Sequence, residues 1–416
     1  MTINAKTAPA ATERADLFGG KGLIAAIVVS AIVVAIGIAC WAIQLSGGMV
    51  QTGMRNLDSW GLYITSFMFF VGLSAGGLII SSIPNALGME GFGGISKVAI
   101  WTAVCSTVAA VCFVVVDLGS PARIWELFAY GNLSSPLMWD VLVIGTYLVL
   151  SCVYLWAYLR YEAGKMSHTA IRVISVVALI CAIGVHTVTA WIFALGPSHE
   201  FWHTALMGPW FVSSALVCGT ALVMVVCIAL RRAGYLALAQ KYVHKMAKML
   251  GAFACVDLYF FACDLITSGY FGGEGQEVVA MLTTGPLAPF FWAQIVGCAI
   301  CAIVCFTPKL RTNPLLVVGS LLAIAGIFCK RVQILVGGFQ IANLTMPGPV
   351  TDMTATFADG AVSYGNIYSG LVYWPTPIEF GVALGVIALA VLLMLVGLRR
   401  LPLKPSSKDL QEPAEG

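Results

Sequence analysis

Leu23 to Leu45 reads LIAAIVVSAIVVAIGIACWAIQL, twenty-three residues without one ionisable acid or base among Asp, Glu, Lys, Arg and His. A helix of that length rises about 35 Å, more than the roughly 30 Å hydrocarbon layer of a bilayer. The run is too long for the core of a signal peptide, and no small-residue cleavage site follows a short core, so it reads as a retained first span. Outward from it, apolar stretches of spanning length recur near 60–87, 98–116, 138–158, 170–195, 209–230, 249–267, 286–306, 314–336 and 377–398. Ten spans put both ends of the chain on one side. The expected fold is therefore an all-α integral membrane protein: a cytoplasmic segment over 1–22, a transmembrane domain over 23–400 and a polar cytoplasmic tail over 401–416.

Composition agrees. Hydrophobic residues make up 60% of the 416 and charged residues 10%, far below the roughly 25% of a soluble domain. The net charge of +3 gives no reason to expect nucleic acid. The placement of the charges is more telling: of 22 lysines and arginines, all but Arg55, Arg123, Lys330 and Arg331 fall on the side of the termini. Under the positive-inside rule that side is cytoplasmic, which predicts a multi-pass protein of the cell (inner) membrane with both termini inside. The 13 cysteines lie in apolar segments and read as small buried hydrophobes, not as a disulfide framework.

The chain also resembles itself. Pro136-x-x-Trp139 with Val143-Ile144-Gly145 in the fourth span is matched by Pro289-x-x-Trp292 with Ile295-Val296-Gly297 in the eighth, and Asp117-Leu118 by Asp264-Leu265. Spans 2–5 and 6–9 are thus expected to form two similar four-helix bundles in parallel orientation, flanked by spans 1 and 10.

Ionisable side chains inside apolar helices are expensive and mark a functional pathway or a buried pair. Asp117, Asp140, Asp257, Asp264, Glu379, Lys330, Arg331 and His186 qualify. Following the alternating helix directions, nearly all sit in the outer third of the membrane, with Asp257 nearer the middle. His186 lies about 14 Å below the outer end of its span. The inner halves hold hydroxyls and amides such as Ser81, Ser82, Asn85 and Thr220. Tyr63, Ser66, Ser74, Gly77 and Ser81 fall along one stripe of the second span, a small polar seam that includes the close-packing pattern Gly72-x-x-x-Gly76. For the acids and cations a purely structural role competes throughout: Asp117 and Asp140 as interfacial caps, Lys330 and Arg331 as neutralisers of Asp264 and Glu379.

Two motifs are set aside. His199-Glu200-Phe201-Trp202-His203 has zinc-protease spacing, but it lies in a short outer connection without a third ligand and reads as an aromatic interfacial turn. Cys298-x-x-Cys301-x-x-x-Cys305 sits in an apolar helix without a fourth ligand. His186 is the one histidine clearly inside a span, so paired-histidine haem ligation is not expected, and no metal-binding residues are assigned.

Several runs together carry a family likeness: Gly72-Leu-Ser-Ala-Gly-Gly77, Asp117-Leu-Gly-Ser-Pro-Ala-Arg-Ile-Trp125, Asn132-Leu-Ser-Ser-Pro-Leu-Met-Trp-Asp140, His186-Thr-Val-Thr-Ala-Trp-Ile-Phe193, Trp202-His203-Thr204 and Gly208-Pro-Trp-Phe-Val-Ser-Ser-Ala215. The chain resembles the NrfD/PsrC family of polysulfide-reductase-type membrane subunits over about residues 55 to 380, and its ten spans resemble the longer branch found in alternative complex III. The resemblance implies a subunit without haem or iron–sulfur cluster of its own, exchanging electrons between menaquinone or ubiquinone and an extracytoplasmic four-cluster ferredoxin-like iron–sulfur partner. A molybdopterin or other catalytic subunit would lie beyond that partner. It also implies quinone contact at His186 and Asp117 and a basic contact at Arg331.

On this expectation a quinol headgroup enters among spans 2, 3, 5 and 9. His186 accepts its proton, Tyr63 bonds the opposite oxygen, Asp264, Asp257 and Glu379 relay protons, and Arg331 steadies the charges. The rival expectation is a secondary transporter or ion pump, which would favour midplane binding and broken helices.

Overall fold

The computed structural model describes residues 20–55, 58–87, 93–196, 199, 201–236, 238–270, 272–340, 354–357, 360–363 and 373–400. The tail at 401–416, most of the segment at 1–22, Glu200 and much of the outer connection at 337–374 lie outside them. Ten of the described helices are long and apolar enough to cross a membrane: α1 (Gly20–Gly47), α2 (Leu62–Leu87), α3 (Gly93–Asp117), α5 (Pro136–Glu162), α6 (His168–Ala194), α7 (Met207–Arg232), α8 (Gln240–Tyr270), α10 (Ala288–Phe306), α11 (Asn313–Gln340) and α12 (Pro377–Arg400). The spans expected from sequence are all there. Two short helices that hydropathy had merged into connections, α4 (Ile124–Tyr130) and α9 (Glu274–Thr283), follow α3 and α8. A small antiparallel hairpin, β1 (Thr354–Phe357) with β2 (Gly360–Ser363), stands in the last long connection.

Local chemistry sets the helix ends. Pro136 and Pro289 open α5 and α10, where a missing N–H costs nothing. Ser167 caps α6 by accepting from the Ala170 N–H at 3.2 Å. Gly164, at φ 71°, turns the chain out of α5 with its N–H on the Tyr161 carbonyl at 2.9 Å.

Two bundles emerge with the same wiring. In α2/α3/α5/α6 the first helix packs on the second and fourth, and the third on the second and fourth; α7/α8/α10/α11 repeats that pattern, with α4 and α9 in corresponding places. The units meet along α2 and α7, whose apolar windows are 94% and 72% buried, against 11% for α1. This spine has to be bare: a Cβ on Gly76 would lie 2.0 Å from the Ala215 carbonyl oxygen, and one on Gly219 2.5 Å from the Gly76 Cα. α1 and α12 pack on each other, crossing where Gly37 meets Gly385, and lean on the first unit through α3. The side where α1 begins and α12 ends is the terminal face, and the opposite side the distal face.

The candidate functional site

Lys330 and Arg331 are consecutive on α11, so their side chains leave the helix about 100° apart. Each lies over one of two consecutive rings of α7: the Lys330 ammonium 4.0 Å from the Trp210 ring centroid and the Arg331 guanidinium 4.0 Å from that of Phe211. From there they diverge around α7. Lys330 Nζ donates to Asp257 Oδ1 of α8 at 2.6 Å, and Ser213 donates to the same oxygen at 2.8 Å. Arg331 Nη2 donates to His186 Nε2 of α6 at 3.0 Å and to Ser214 Oγ at 2.6 Å. Guanidinium can only donate, so His186 Nε2 is the acceptor and the imidazole proton sits on Nδ1.

Every member of this group is buried: His186, Asp257, Lys330 and Arg331 are each 0% exposed. The register explains the meeting. Ser167 and Thr312 stand at equivalent starts of α6 and α11, each accepting from the N–H four residues on, and His186 and Arg331 follow at the same distance. The two bundles therefore face each other with corresponding residues, at about 12–14 Å below the distal helix ends.

The pairing is unequal. Lys330 has its carboxylate, whereas among the described residues no carboxylate pairs with Arg331. Arg331 Nε and Nη1, His186 Nδ1 and Asp257 Oδ2 are buried without a hydrogen-bond partner. Three of these four atoms are donors beside an uncompensated charge, a combination that calls for an acceptor. A lateral cleft of about 420 Å³ opens alongside, lined by Ile183 and Thr187 of α6, Gly208, Pro209, Val212, Ser213 and Leu216 of α7, and Val256 and Phe260 of α8. It reaches the charged group at Ser213, and Thr187 is the neighbour of His186. The opening thus lies beside the fifth, sixth and seventh spans, displaced from the expected entry among spans 2, 3, 5 and 9.

The other candidates are distributed. Asp264 stands two turns beyond Asp257 and accepts from Thr204 at 2.9 Å. Asp140 accepts from Thr189 at 2.6 Å, tying α5 to α6. Tyr63, Asp117 and Glu379 lie within electrostatic reach of one another in a second group, where α1 and α12 join the first unit. There Tyr63 donates to Gln44 at 2.6 Å, and Glu379 accepts from the Gly53 N–H at 2.7 Å, the Thr376 N–H at 2.8 Å and the Tyr373 hydroxyl at 2.7 Å. The neutraliser expectation holds only in part: Lys330 pairs with Asp257 and its charge also reaches Asp264, whereas Glu379 is held by neutral donors. Trp210, Phe211, Ser213 and Ser214 join the group although their place in the family motif assigns them no role; adjacent rings followed by adjacent hydroxyls, set against the adjacent cations of α11, is the sequence signal for it.

Burial holds the His199 imidazole below its ordinary range, against Trp202 at 4.2 Å between centroids. His203 Nδ1 is 3.2 Å from the Ala194 carbonyl, and among the described residues no group of three His, Cys, Asp or Glu is arranged to hold a metal ion.

The profile of the family described as "Polysulphide reductase, NrfD" matches residues 50–343. The chain belongs to the NrfD family. The matched region takes in both four-helix units and the whole central group, and leaves out α1 and α12. Among NrfD-like relatives, the chain is 29% identical to a protein of Halobacterium salinarum provisionally named as a dimethyl sulfoxide reductase membrane subunit, across 93% of each protein. It is 25% identical to the Hdr-like menaquinol oxidoreductase integral membrane subunit of Archaeoglobus fulgidus, over 92% of this chain and 93% of that one. With a polysulfide reductase chain of Wolinella succinogenes it shares 23% identity over 71% of its own length and 98% of the relative.

Proposed function

We propose that this NrfD protein is the quinone-reacting membrane subunit of a respiratory oxidoreductase, exchanging electrons between menaquinol or ubiquinol and an iron–sulfur partner docked on the distal face. One observation carries the reading: a buried arginine that no carboxylate pairs among the described residues, with orphaned donors on it and on His186, in a charged group that a lateral apolar cleft reaches at Ser213. A quinone carbonyl or quinolate oxygen is the acceptor those donors lack, and a cleft open to lipid suits an isoprenoid substrate better than a water-soluble one. Two of the relatives described above carry menaquinol or polysulfide reductase in their names, which fits.

In this reading Arg331 and His186 hold the headgroup oxygen, and the imidazole exchanges its proton. The Lys330–Asp257 pair, reached through Ser213, sets the charge beside it, with Asp264 further out. Tyr63, Asp117 and Glu379 belong to the joint with the flanking helices. The charge bias supports a cytoplasmic terminal face and a distal face outside the inner membrane, where a four-cluster ferredoxin-like protein, and beyond it a molybdopterin or other catalytic subunit, would receive the electrons. Spans α6, α7, α8 and α11 run unbroken past the site, whereas transporter sites are commonly built on interrupted helices.

Photoaffinity labelling of the membrane-embedded complex with an azidoquinone tests this. Label on Ile183–Thr187, Gly208–Leu216 or Val256–Phe260, displaced by excess menaquinone, is the expected result. Label confined to α1 and α12, or none that menaquinone displaces, would refute it.

A further inference from the structure

The terminal face of the second bundle carries charge of one sign. Residues 231–248, running from the end of α7 into α8, and 307–313, running from α10 into α11, hold seven lysines and arginines and no aspartate or glutamate. The matching stretches of the first bundle, 88–97 and 160–172, hold four against two acids, and there Lys97 pairs with Glu162 at 2.6 Å. Positive charge at one face is expected of any multi-pass membrane protein; its concentration on one bundle without acids is not. Among the described residues none of the seven is in an ion pair.

These cations are ordered. Lys241, Lys245 and Lys248 follow one another at four and three residues, so they form a single stripe on the first turns of α8, and all three are exposed. Lys241 and Lys245 gather round the Tyr242 ring, at 5.3 and 5.5 Å from its centroid. The same stripe continues into the apolar part of the helix as Ala252, Cys255 and Tyr259, which are exposed too and face lipid at that depth. Arg311 comes to the same level from the side. Its guanidinium donates to the Phe306 carbonyl at 3.0 Å, and the Phe306 ring would meet a Cβ on Gly251, three residues below Lys248, at 3.0 Å. Gln240 fixes the frame by bonding Arg231 of α7 and donating to Asn313 of α11 at 2.9 Å.

The first bundle closes its copy of this face with protein. With Asp117 aligned on Asp264, Lys245, Lys248 and Ala252 correspond to Val98, Trp101 and Cys105 of α3. Val98 and Cys105 are buried, at 0% and 3% exposed, and α12 packs on α3 there: a Cβ on Gly397 would lie 2.0 Å from Trp101 Nε1. Among the described residues the copy on α8 is left open. In the cytoplasmic orientation proposed above, a further protein span would bring its own lysines and arginines to this level and so repel the stripe. A negatively charged headgroup above apolar chains suits both the cations and the lipid-facing stripe beneath them.

We propose that the terminal end of α8 is a binding site for an anionic phospholipid, whose phosphate lies among Lys245, Lys248 and Arg311 and whose acyl chains run along Ala252, Cys255 and Tyr259. The lipid does for the second bundle what α12 does for the first: it covers the outer face of the helix. The inference is independent of the quinone reading.

The test is native mass spectrometry of the full-length protein released from nanodiscs made of equal parts phosphatidylcholine and phosphatidylglycerol. Wild type is expected to retain phosphatidylglycerol in preference. Each lysine near a headgroup is worth about fivefold, so Lys241→Gln/Lys245→Gln/Lys248→Gln is expected to weaken that preference by at least about tenfold. The control Arg160→Gln/Lys165→Gln, at the terminal face of the first bundle, is expected to keep it. Equal retention of the two lipids by wild type, which needs no variant to fold, would overturn the site, as would an unchanged preference in the triple variant or the same loss in the control. Displacement of the lipid by inorganic phosphate alone would assign the cations to a soluble anion, and cross-linking of Lys245→Cys to another protein span would assign the face to a subunit; either result overturns the proposal.

Discussion

The central group and the flank group are both buried and polar, yet they are finished differently. At the flank, each oxygen of Glu379 has a donor, from two backbone N–H groups and Tyr373, while Tyr63 donates to Gln44, whose amide in turn donates to the Val116 carbonyl. Asp117 Oδ1 is the exception there. At the centre, Arg331, His186 and Asp257 all keep orphaned atoms. A satisfied network locks helices together, whereas an unsatisfied one holds electrostatic potential in reserve for something that arrives. Gln44, Tyr373 and Glu379 of the flank lie outside the matched family region and the central group lies wholly within it, so the first reads as the seam that adds α1 and α12, and the second as the working site.

Breaking each kind of network should therefore fail in its own way. The largest effect is expected from Asp257→Leu, which strands Lys330 as an unpaired buried cation at a cost of about 3–5 kcal/mol. Assembled protein should nearly vanish from membranes, and the double variant Asp257→Leu/Lys330→Met should restore it, read as monodisperse yield after solubilisation. Arg331→Met comes next and inverts the pattern: removing a charge that no carboxylate pairs should leave thermal stability equal or higher. Quinol-dependent turnover should fall about a hundredfold, equivalent to about 2.7 kcal/mol of lost transition-state stabilisation. Arg331→Lys should not rescue it, since an ammonium cannot reproduce the planar fork that serves His186 and Ser214 together. Glu379→Gln should cost about 1.5–3 kcal/mol for a charge-assisted bond in the melting of the purified protein, with turnover of the surviving protein unchanged. Tyr63→Phe should cost about 1 kcal/mol, again without a change in turnover.

How far the sequence foretold this depends on which physical rule was in play. Hydropathy located ten spans, because lipid forces the backbone to satisfy itself within each helix, and the repeated Pro136/Pro289 and Asp117/Asp264 motifs paired the two bundles. The cost of charge in lipid singled out His186, Asp257, Lys330 and Arg331 one by one. Which of them meet was not legible. Helices apolar on all sides carry no stripe that says which face turns inward, so nothing in the order of residues told that Glu379 of α12 would join Tyr63 and not Arg331. α4 and α9 escaped for a similar reason: at 7 and 10 residues they are too short to announce themselves through hydropathy. The hydroxyl seam of α2 was visible as a stripe, but its neighbours Thr107, Tyr147 and Tyr154 became evident once α3 and α5 were packed against it.

The claim that the unsatisfied centre, and not the satisfied flank, receives the quinone is tested most directly by equilibrium titration of a menaquinone analogue into wild type, His186→Ala, Arg331→Met and Glu379→Gln, followed by quenching of tryptophan fluorescence. Affinity at least tenfold weaker in the His186 and Arg331 variants, with Glu379→Gln matching wild type, is the predicted result. Equal affinity in all four, or loss with Glu379→Gln alone, would contradict it.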